Sequence, residues 1–195
     1  MVNTQFNVLT TSVFNKVRQA VMSPETPWYS VSTDYYNAQH PDHYSHAWAH
    51  VAFSDGVANS QLGELLYMAA LSAFDNTGQN VSDIIRIRLG MHTISPQTRY
   101  GGAHVDYNLP HQVALIYLND SDGDTLVFNE TYDPNSKADT YQYFQDRYQG
   151  KASVIHNSTP TANKMIWFNG MHYHSSSSPT TVAKRITINI NYLLK

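Results

Sequence analysis

The sequence predicts a mainly β protein, a jelly-roll-like core flanked by N-terminal α-helices. Two observations carry this reading: helical periodicity is confined to the first 80 or so residues, and short β-like runs separated by turn dipeptides follow from about Val81 onward. No Pro- or Gly-rich linker divides the chain and no repeat recurs. Residues 1–195 therefore read as one domain, with a helical N-terminal part over about 1–80 and a β core over about 81–195.

Each element has a local cause. Val13, Val17, Ala20 and Val21 recur at helical spacing until Pro24 stops them. Leu62, Leu65, Leu66, Ala69, Ala70 and Ala73 do the same after Asn59 or Ser60, either of which can cap a helix. The β-like runs are DIIRIRLGMH, GGAHVDY, HQVALIYLN, DTLVFNE, KASVIHN, NKMIWFNG and KRITININYLL. Turn signals such as Asp122-Gly123 and Asn169-Gly170 separate several of them, which favours an antiparallel sandwich or barrel over βαβ alternation. Tyr132 to Gly150 reads as a polar excursion and candidate lid, with a short helix around Tyr141 to Tyr148.

Composition narrows the function classes. In 195 residues, 12 Lys+Arg against 15 Asp+Glu give a formal charge of −3, and no basic run exceeds a pair. Such scattered charge offers nucleic acid no electrostatic footprint. The apolar stretches fall short of the roughly 20 residues a membrane span needs. The start MVNTQFNVLTTSVF lacks the basic and apolar regions of a signal peptide, so the expectation is a soluble, cytoplasmic protein. With Cys 0, thiolate catalysis, iron–sulfur clusters and Cys-based zinc sites are excluded, leaving His and carboxylate as strong metal ligands. His 10 makes the histidines the place to look.

His104 and Asp106, two apart in Ala103-His104-Val105-Asp106, would project an imidazole and a carboxylate from one face of a strand. A third ligand must come from elsewhere. The segment Trp167-Phe168-Asn169-Gly170-Met171-His172-Tyr173-His174 offers His174, with His172 as a rival of the same strand parity. A site of His104, Asp106 and His174 would be a 2-His-1-carboxylate facial triad, whose open face suits non-heme Fe(II) oxygen chemistry. In the last strand, alternation places Arg185, Thr187 and Asn189 on one face and Ile186, Ile188 and Ile190 on the other. If the polar face looks inward it is a carboxylate-binding wall, because a guanidinium fork grips a carboxylate through two parallel hydrogen bonds. Tyr117 could add a hydroxyl; the opposing reading puts the isoleucines in the core and Arg185 in water.

Taken together, HVD, the distal histidine before SSSSP and the arginine of RITINI resemble the 2-oxoglutarate- and Fe(II)-dependent oxygenases, most strongly their prolyl-hydroxylase-like branch. The resemblance spans roughly Ile84 to Leu194, in the order RIRLGMH, HVD, ALIYLNDSDGDTLVF, NKMIWFNGMHYHSSSSP, RITINI. The whole chain, with its Pro27-Trp28-Tyr29 segment, also resembles short oxygenase-like proteins of phages that infect marine bacteria, which would place it in the host cytoplasm. The resemblance implies a double-stranded β-helix in which His104, Asp106 and His174 hold Fe(II). It implies that 2-oxoglutarate chelates the metal while Arg185, Tyr117 and Thr187 hold the distal carboxylate. The spacing to Arg185 and the serines then favours His174 over His172. The implied activity is oxidative decarboxylation of 2-oxoglutarate with O2 to succinate and CO2, coupled to hydroxylation of a peptidyl residue such as proline or of a small metabolite, with ascorbate as an auxiliary reductant. Upstream of HVD, where the branch often carries a cosubstrate-binding tyrosine, the nearest matches are Met91, His92 and Tyr100.

Other readings compete. His40, His43, His46 and His50 form a denser cluster, but Pro41 opposes a regular helix and no HExxH motif accompanies them. Asp120, Asp122 and Asp124 imitate a calcium loop, yet Thr125 replaces the required Gly and Thr131 the final Glu. At the level of function, a cupin-like metal enzyme could use the same triad without needing Arg185 and Tyr117. A noncatalytic sugar-binding β-sandwich would account for the Tyr, Trp and Asn side chains.

Overall fold

The computed structural model describes residues 1–31, 47–98, 100–135 and 153–195. Its elements are β1 (Asn3–Gln5), α1 (Thr11–Val21), β2 (Tyr29–Ser30), β3 (Ala47–Ser54), β4 (Val57–Ala58), α2 (Leu62–Thr77), β5 (Val81–Thr93), β6 (Gln112–Tyr117), β7 (Thr125–Thr131), β8 (Val154–Ser158), β9 (Met165–Asn169), β10 (His172–Ser176) and β11 (Lys184–Leu194).

A hydroxyl accepts an amide at the start of each helix; Ser60 is one of the two caps the sequence offers, although the residue that directly flanks α2 is Gln61, which makes no side-chain cap bond. Thr10 accepts the amide of Val13 through its hydroxyl at the start of α1, and the Ser60 hydroxyl accepts the amide of Leu62 at the start of α2. The latter ends at Gly78, whose φ of 67° is the left-handed conformation glycine adopts without a Cβ clash.

The strands form two sheets. The larger runs β1-β9-β6-β11-β5-β3-β2, with β4 on β3, and the smaller runs β10-β7-β8. A single bridge between His104 and His174 continues the smaller sheet past β10. All these pairings are antiparallel. From β5 onward the chain passes from the large sheet to the small at His104, back at β6, to the small at β7 and β8, and then through β9, β10 and β11 in alternation. This winding is the double-stranded β-helix, or jelly roll, with helices outside it.

Two differences from the sequence reading stand out. The N-terminal part contributes strands as well as helices, because β1 pairs with β9 and β3 with β5. The run GGAHVDY is not a strand beyond the bridge at His104; the chain leaves the ladder there. No helix among the described residues is long and apolar enough to cross a membrane.

Burial explains the layering. Val17, Val21, Leu66, Ala70 and Phe74 of the helices pack on Ile87, Leu89, Ile186, Ile188 and Ile190 of the large sheet. Each fully buried Ile, Leu or Phe contributes about 1.5–3 kcal/mol, so this outer layer is the main stabilising core. Between the sheets a second cluster forms from Val113, Leu115, Tyr117, Val127, Ile166 and Phe168. Strand β11 is therefore buried on both faces: its isoleucines meet the helices, while Arg185, at 2% exposure, and Thr187, at 5%, face the interior of the roll.

A candidate metal centre beside a cationic pocket

His174 sits on β10 and His104 opposite it across the isolated bridge, so their backbones exchange both hydrogen bonds at 3.0 Å. Asp106 follows two residues later. His104 Nε2 lies 3.9 Å from one Asp106 oxygen and His174 Nε2 lies 3.8 Å from the other. One ligand atom from each of the three residues falls within 4.8 Å of the others. These separations are too long for hydrogen bonds. A divalent ion at ordinary ligand distances of about 2.0–2.2 Å spans them.

The donor set fits such an ion. The Nδ1 of His104 faces the Gly102 carbonyl at 2.9 Å, and that of His174 faces the His172 carbonyl at 3.2 Å. With those hydrogens donated to carbonyls, Nε2 carries the lone pair in each ring. His174 Nε2 is buried without a hydrogen-bond partner among the described residues, which leaves an acceptor in need of a Lewis acid. Burial and the neighbouring His104 lower the His174 pKa to about 4, against the pull of Asp106, so the ring is neutral near pH 7.

Asp106 is held by three donors. Arg86 Nη2 reaches Oδ1 at 3.1 Å, while Asn189 and Asn191 donate to Oδ2 at 3.0 and 2.8 Å. Arg86 is itself fixed by donating Nε to Asn191 Oδ1 at 3.1 Å. A carboxylate accepts about four hydrogen bonds, so Oδ1 keeps one lone pair for another partner. Burial opposes ionisation of Asp106, but His174, His104, Arg86 and Asn191 outweigh it and hold its pKa well below the usual range.

A cavity of about 80 Å³ adjoins these residues, lined among others by His104, His174, Arg88, His92, Thr125, Arg185 and Thr187. Since one water needs roughly 10–15 Å³ measured in this way, the space holds more than a single solvent molecule. Arg185 donates Nη2 to Thr125 Oγ1 at 2.6 Å, and its guanidinium lies 5.6 Å from the centre of the Tyr117 ring. Its Nε is buried without a partner among the described residues. Gly123 makes room for this side chain, because a Cβ there would stand 3.1 Å from Arg185 Cδ and 2.7 Å from the Ser177 carbonyl.

The structure thus brings His104, Asp106 and His174 together, and places Arg185 and Thr187 on the adjoining wall with Tyr117 behind Thr125. Parity failed to separate His172 from His174, because β10 carries a bulge between them: His172 pairs with Thr131 and His174 with Val127. The His172 ring turns to the Phe128 carbonyl at 2.9 Å. Sequence reasoning missed Thr125, Arg86 and Asn191. The polar alternation of β11, continued past Asn189, is the signal that could have found Asn191. His40, His43 and His46, and the proposed helix in the polar excursion, lie outside the described residues. His50 is buried and meets the Ser60 hydroxyl at 2.8 Å. Asp122 accepts from Thr180 and Thr181, and Asp120 from the Ala162 amide, so both are engaged by the protein itself.

No family model and no curated protein matches the sequence. Among solved structures, a prolyl-4-hydroxylase from Pseudomonas putida aligns over 100% of this chain and 92% of its own at 12% identity and a TM-score of 0.58. A prolyl hydroxylase from Trichoplax adhaerens, solved with a peptide fragment of hypoxia inducible factor, aligns over 98% and 83% at 12% identity and 0.60. HygX from Streptomyces hygroscopicus, solved with nickel, 2-oxoglutarate and hygromycin B, aligns over 100% and 83% at 11% identity and 0.63. At such identities the likeness is one of backbone. The chain has the fold of the 2-oxoglutarate- and Fe(II)-dependent oxygenase superfamily, with a 2-His-1-carboxylate cluster inside it.

Proposed function

We propose that the protein is a 2-oxoglutarate- and Fe(II)-dependent dioxygenase, related to the prolyl-hydroxylase-like branch, that hydroxylates a small-molecule or peptidyl substrate. The observation that carries this reading is the pairing, within one cavity, of an unpartnered buried His174 Nε2 with a buried arginine wall. His104, Asp106 and His174 would hold the metal, which when bound with 2-oxoglutarate supplies oxidising power from O2, yielding succinate and CO2.

The chain's own contribution is positional. Arg185 and Thr187 present a cation and a hydroxyl to the distal carboxylate of the cosubstrate, with Tyr117 steering Arg185 through Thr125. Arg86, Asn189 and Asn191 fix the carboxylate plane of Asp106, and the backbone carbonyls of Gly102 and His172 fix the imidazole tautomers. The apolar packing of Leu115, Phe168 and Val127 beside the site limits water there.

The test is succinate release from 2-oxoglutarate with Fe(II), ascorbate and O2, followed by a substrate screen read by mass spectrometry for a product heavier by one oxygen. A correct substrate accelerates succinate release and matches it about one for one. Anaerobic samples and Asp106→Ala stay silent; equal succinate from Asp106→Ala would overturn the assignment, since iron bound elsewhere would then do the chemistry. Absence of turnover across a broad panel by metal-loaded protein would favour a noncatalytic ligand-binding module.

A further inference from the structure

The cationic side chains around the site have unequal partners. Arg86 is paired with Asp106. Arg185 bonds Thr125 and, in the proposed function, meets the distal cosubstrate carboxylate. Arg88 lines the same cavity but makes no hydrogen bond or ion pair with any other described residue. It projects to the interior with Arg86 and His92, while Ile87 and Leu89, between them, are fully buried in the outer core. Its register partner on β11 is Asn189, which donates to Asp106 Oδ2. Arg88 therefore stands one side chain away from the metal-ligating carboxylate.

Arg88 is half-buried, so part of its guanidinium stays hydrated, and an anion beside it offsets the hydration that is lost. Burial, then the like charge of Arg86, disfavour its charged form, and only Asp106, already engaged by three donors, favours it. The loaded site offers no relief: Asp106 offsets Arg86 and the distal carboxylate of 2-oxoglutarate offsets Arg185, so the one remaining carboxylate faces a doubly charged metal and no anion is left for Arg88. A ligand with a negatively charged end satisfies this side chain.

We propose that Arg88 is a specificity-determining residue that binds a carboxylate of the substrate to be oxidised, so that the enzyme acts on small organic acids. This rests on the oxygenase reading. The planar fork of the guanidinium takes a carboxylate through two hydrogen bonds, and no group among the described residues competes for it.

Calorimetry tests this on the whole chain loaded anaerobically with nickel and 2-oxoglutarate, using matched pairs of small acids and their primary amides, the proteinogenic amino acids and their amides among them. Wild-type protein binds at least one acid more tightly than its amide by about tenfold or more, the worth of a hydrogen bond to a charged group. In Arg88→Gln this preference vanishes while 2-oxoglutarate affinity stays within about twofold, and in Arg88→Lys much of the preference returns. Retention of the preference in Arg88→Gln, or its absence from the wild type, overturns the proposal. A large loss of 2-oxoglutarate affinity in Arg88→Gln also overturns it, since the residue would then serve the cosubstrate. If wild-type protein does not bind 2-oxoglutarate at all, the oxygenase reading falls and this one with it; if it does and the preference is missing, this one falls alone.

Discussion

Tyr117 and Arg185 donate to the same oxygen, Thr125 Oγ1, at 2.9 and 2.6 Å. A hydroxyl has two acceptor lone pairs and one proton, so with both lone pairs used its proton is free to be given to a third group. Thr125 is 1% exposed and lines the cavity. An anion in the cavity can therefore take one hydrogen bond from Thr125 and others from Arg185.

Thr125→Val keeps the shape of that side chain and removes the shared oxygen. It should weaken 2-oxoglutarate binding by about tenfold or more and lower stability by about 1–3 kcal/mol, because two buried donors lose their acceptor. Arg185→Leu should be more severe, about 3–5 kcal/mol in cosubstrate affinity, while metal binding persists. Tyr117→Phe should cost less, about 0.5–1.5 kcal/mol, since only a neutral hydrogen bond is lost. Titration with 2-oxoglutarate under anaerobic conditions measures all three; wild-type affinity in Arg185→Leu would refute the wall.

Metal affinity should collapse in His104→Ala, Asp106→Ala and His174→Ala but survive in His172→Ala, whose ring is tied to the Phe128 carbonyl. Asn191→Ala loosens both Asp106 and the Arg86 that grips it, and should cost about 10–100-fold in affinity. Equilibrium dialysis with manganese gives the order; wild-type affinity in Asn191→Ala would show that Asp106 needs no such support.

Acid should destabilise the metal-free protein in a defined window. His174 and His92 have folded pKa values of about 4 and about 3, both below the ordinary 6.5, for which burial is the largest cause. Below pH 6.5 the unfolded chain binds protons at these positions that the folded chain refuses, so stability falls as the pH drops from about 6.5 toward 4. Asp106 acts lower: its folded pKa is depressed, so its contribution is present above 3.8 and lost as the pH falls further. Denaturant melts across pH 4–7 should show a slope that His92→Gln flattens.

Gly63, in the first turn of α2, gives two opposing expectations. Helix propensity alone favours Ala over Gly by about 1 kcal/mol. A Cβ there would sit 2.5 Å from the Ala52 carbonyl oxygen and 2.6 Å from Ala58 Cβ. Backbone cannot yield as a flexible side chain can, so Gly63→Ala should destabilise the fold by about 1–3 kcal/mol. A melting temperature equal to or above that of the wild type would show that α2 can slide off β3.

Much of the site was legible because it rests on short-range chemistry. HVD needs only two residues, and the alternation of β11 puts Arg185 and Thr187 on one face wherever the strand lies. Which face points inward was not legible, since it depends on partners: the large sheet is covered by helices outside and by the smaller sheet inside, so both faces of β11 are buried. Local pattern also could not resolve the β10 bulge, nor foresee that Thr125, a strand residue after an Asp-Gly turn, would sit where Tyr117 and Arg185 converge. The strands β1 and β3 escaped for a similar reason, since their pairing with β9 and β5 joins distant parts of the chain.

The two-faced burial of β11 also bears on how the molecule can fail. A slip of one residue in its pairing with β5 and β6 would drive Arg185 into the isoleucine layer under the helices and turn Ile186 and Ile188 toward the cationic cavity. Such a molecule would bury an unpaired guanidinium in hydrocarbon, at a cost comparable to the 5–15 kcal/mol that holds a typical domain together. No compact but misaligned version of this strand is thus available as a competing state. A β11 docked in this register sets Arg185, Asn189 and Asn191 on the inner face together, where Thr125 and Asp106 meet them.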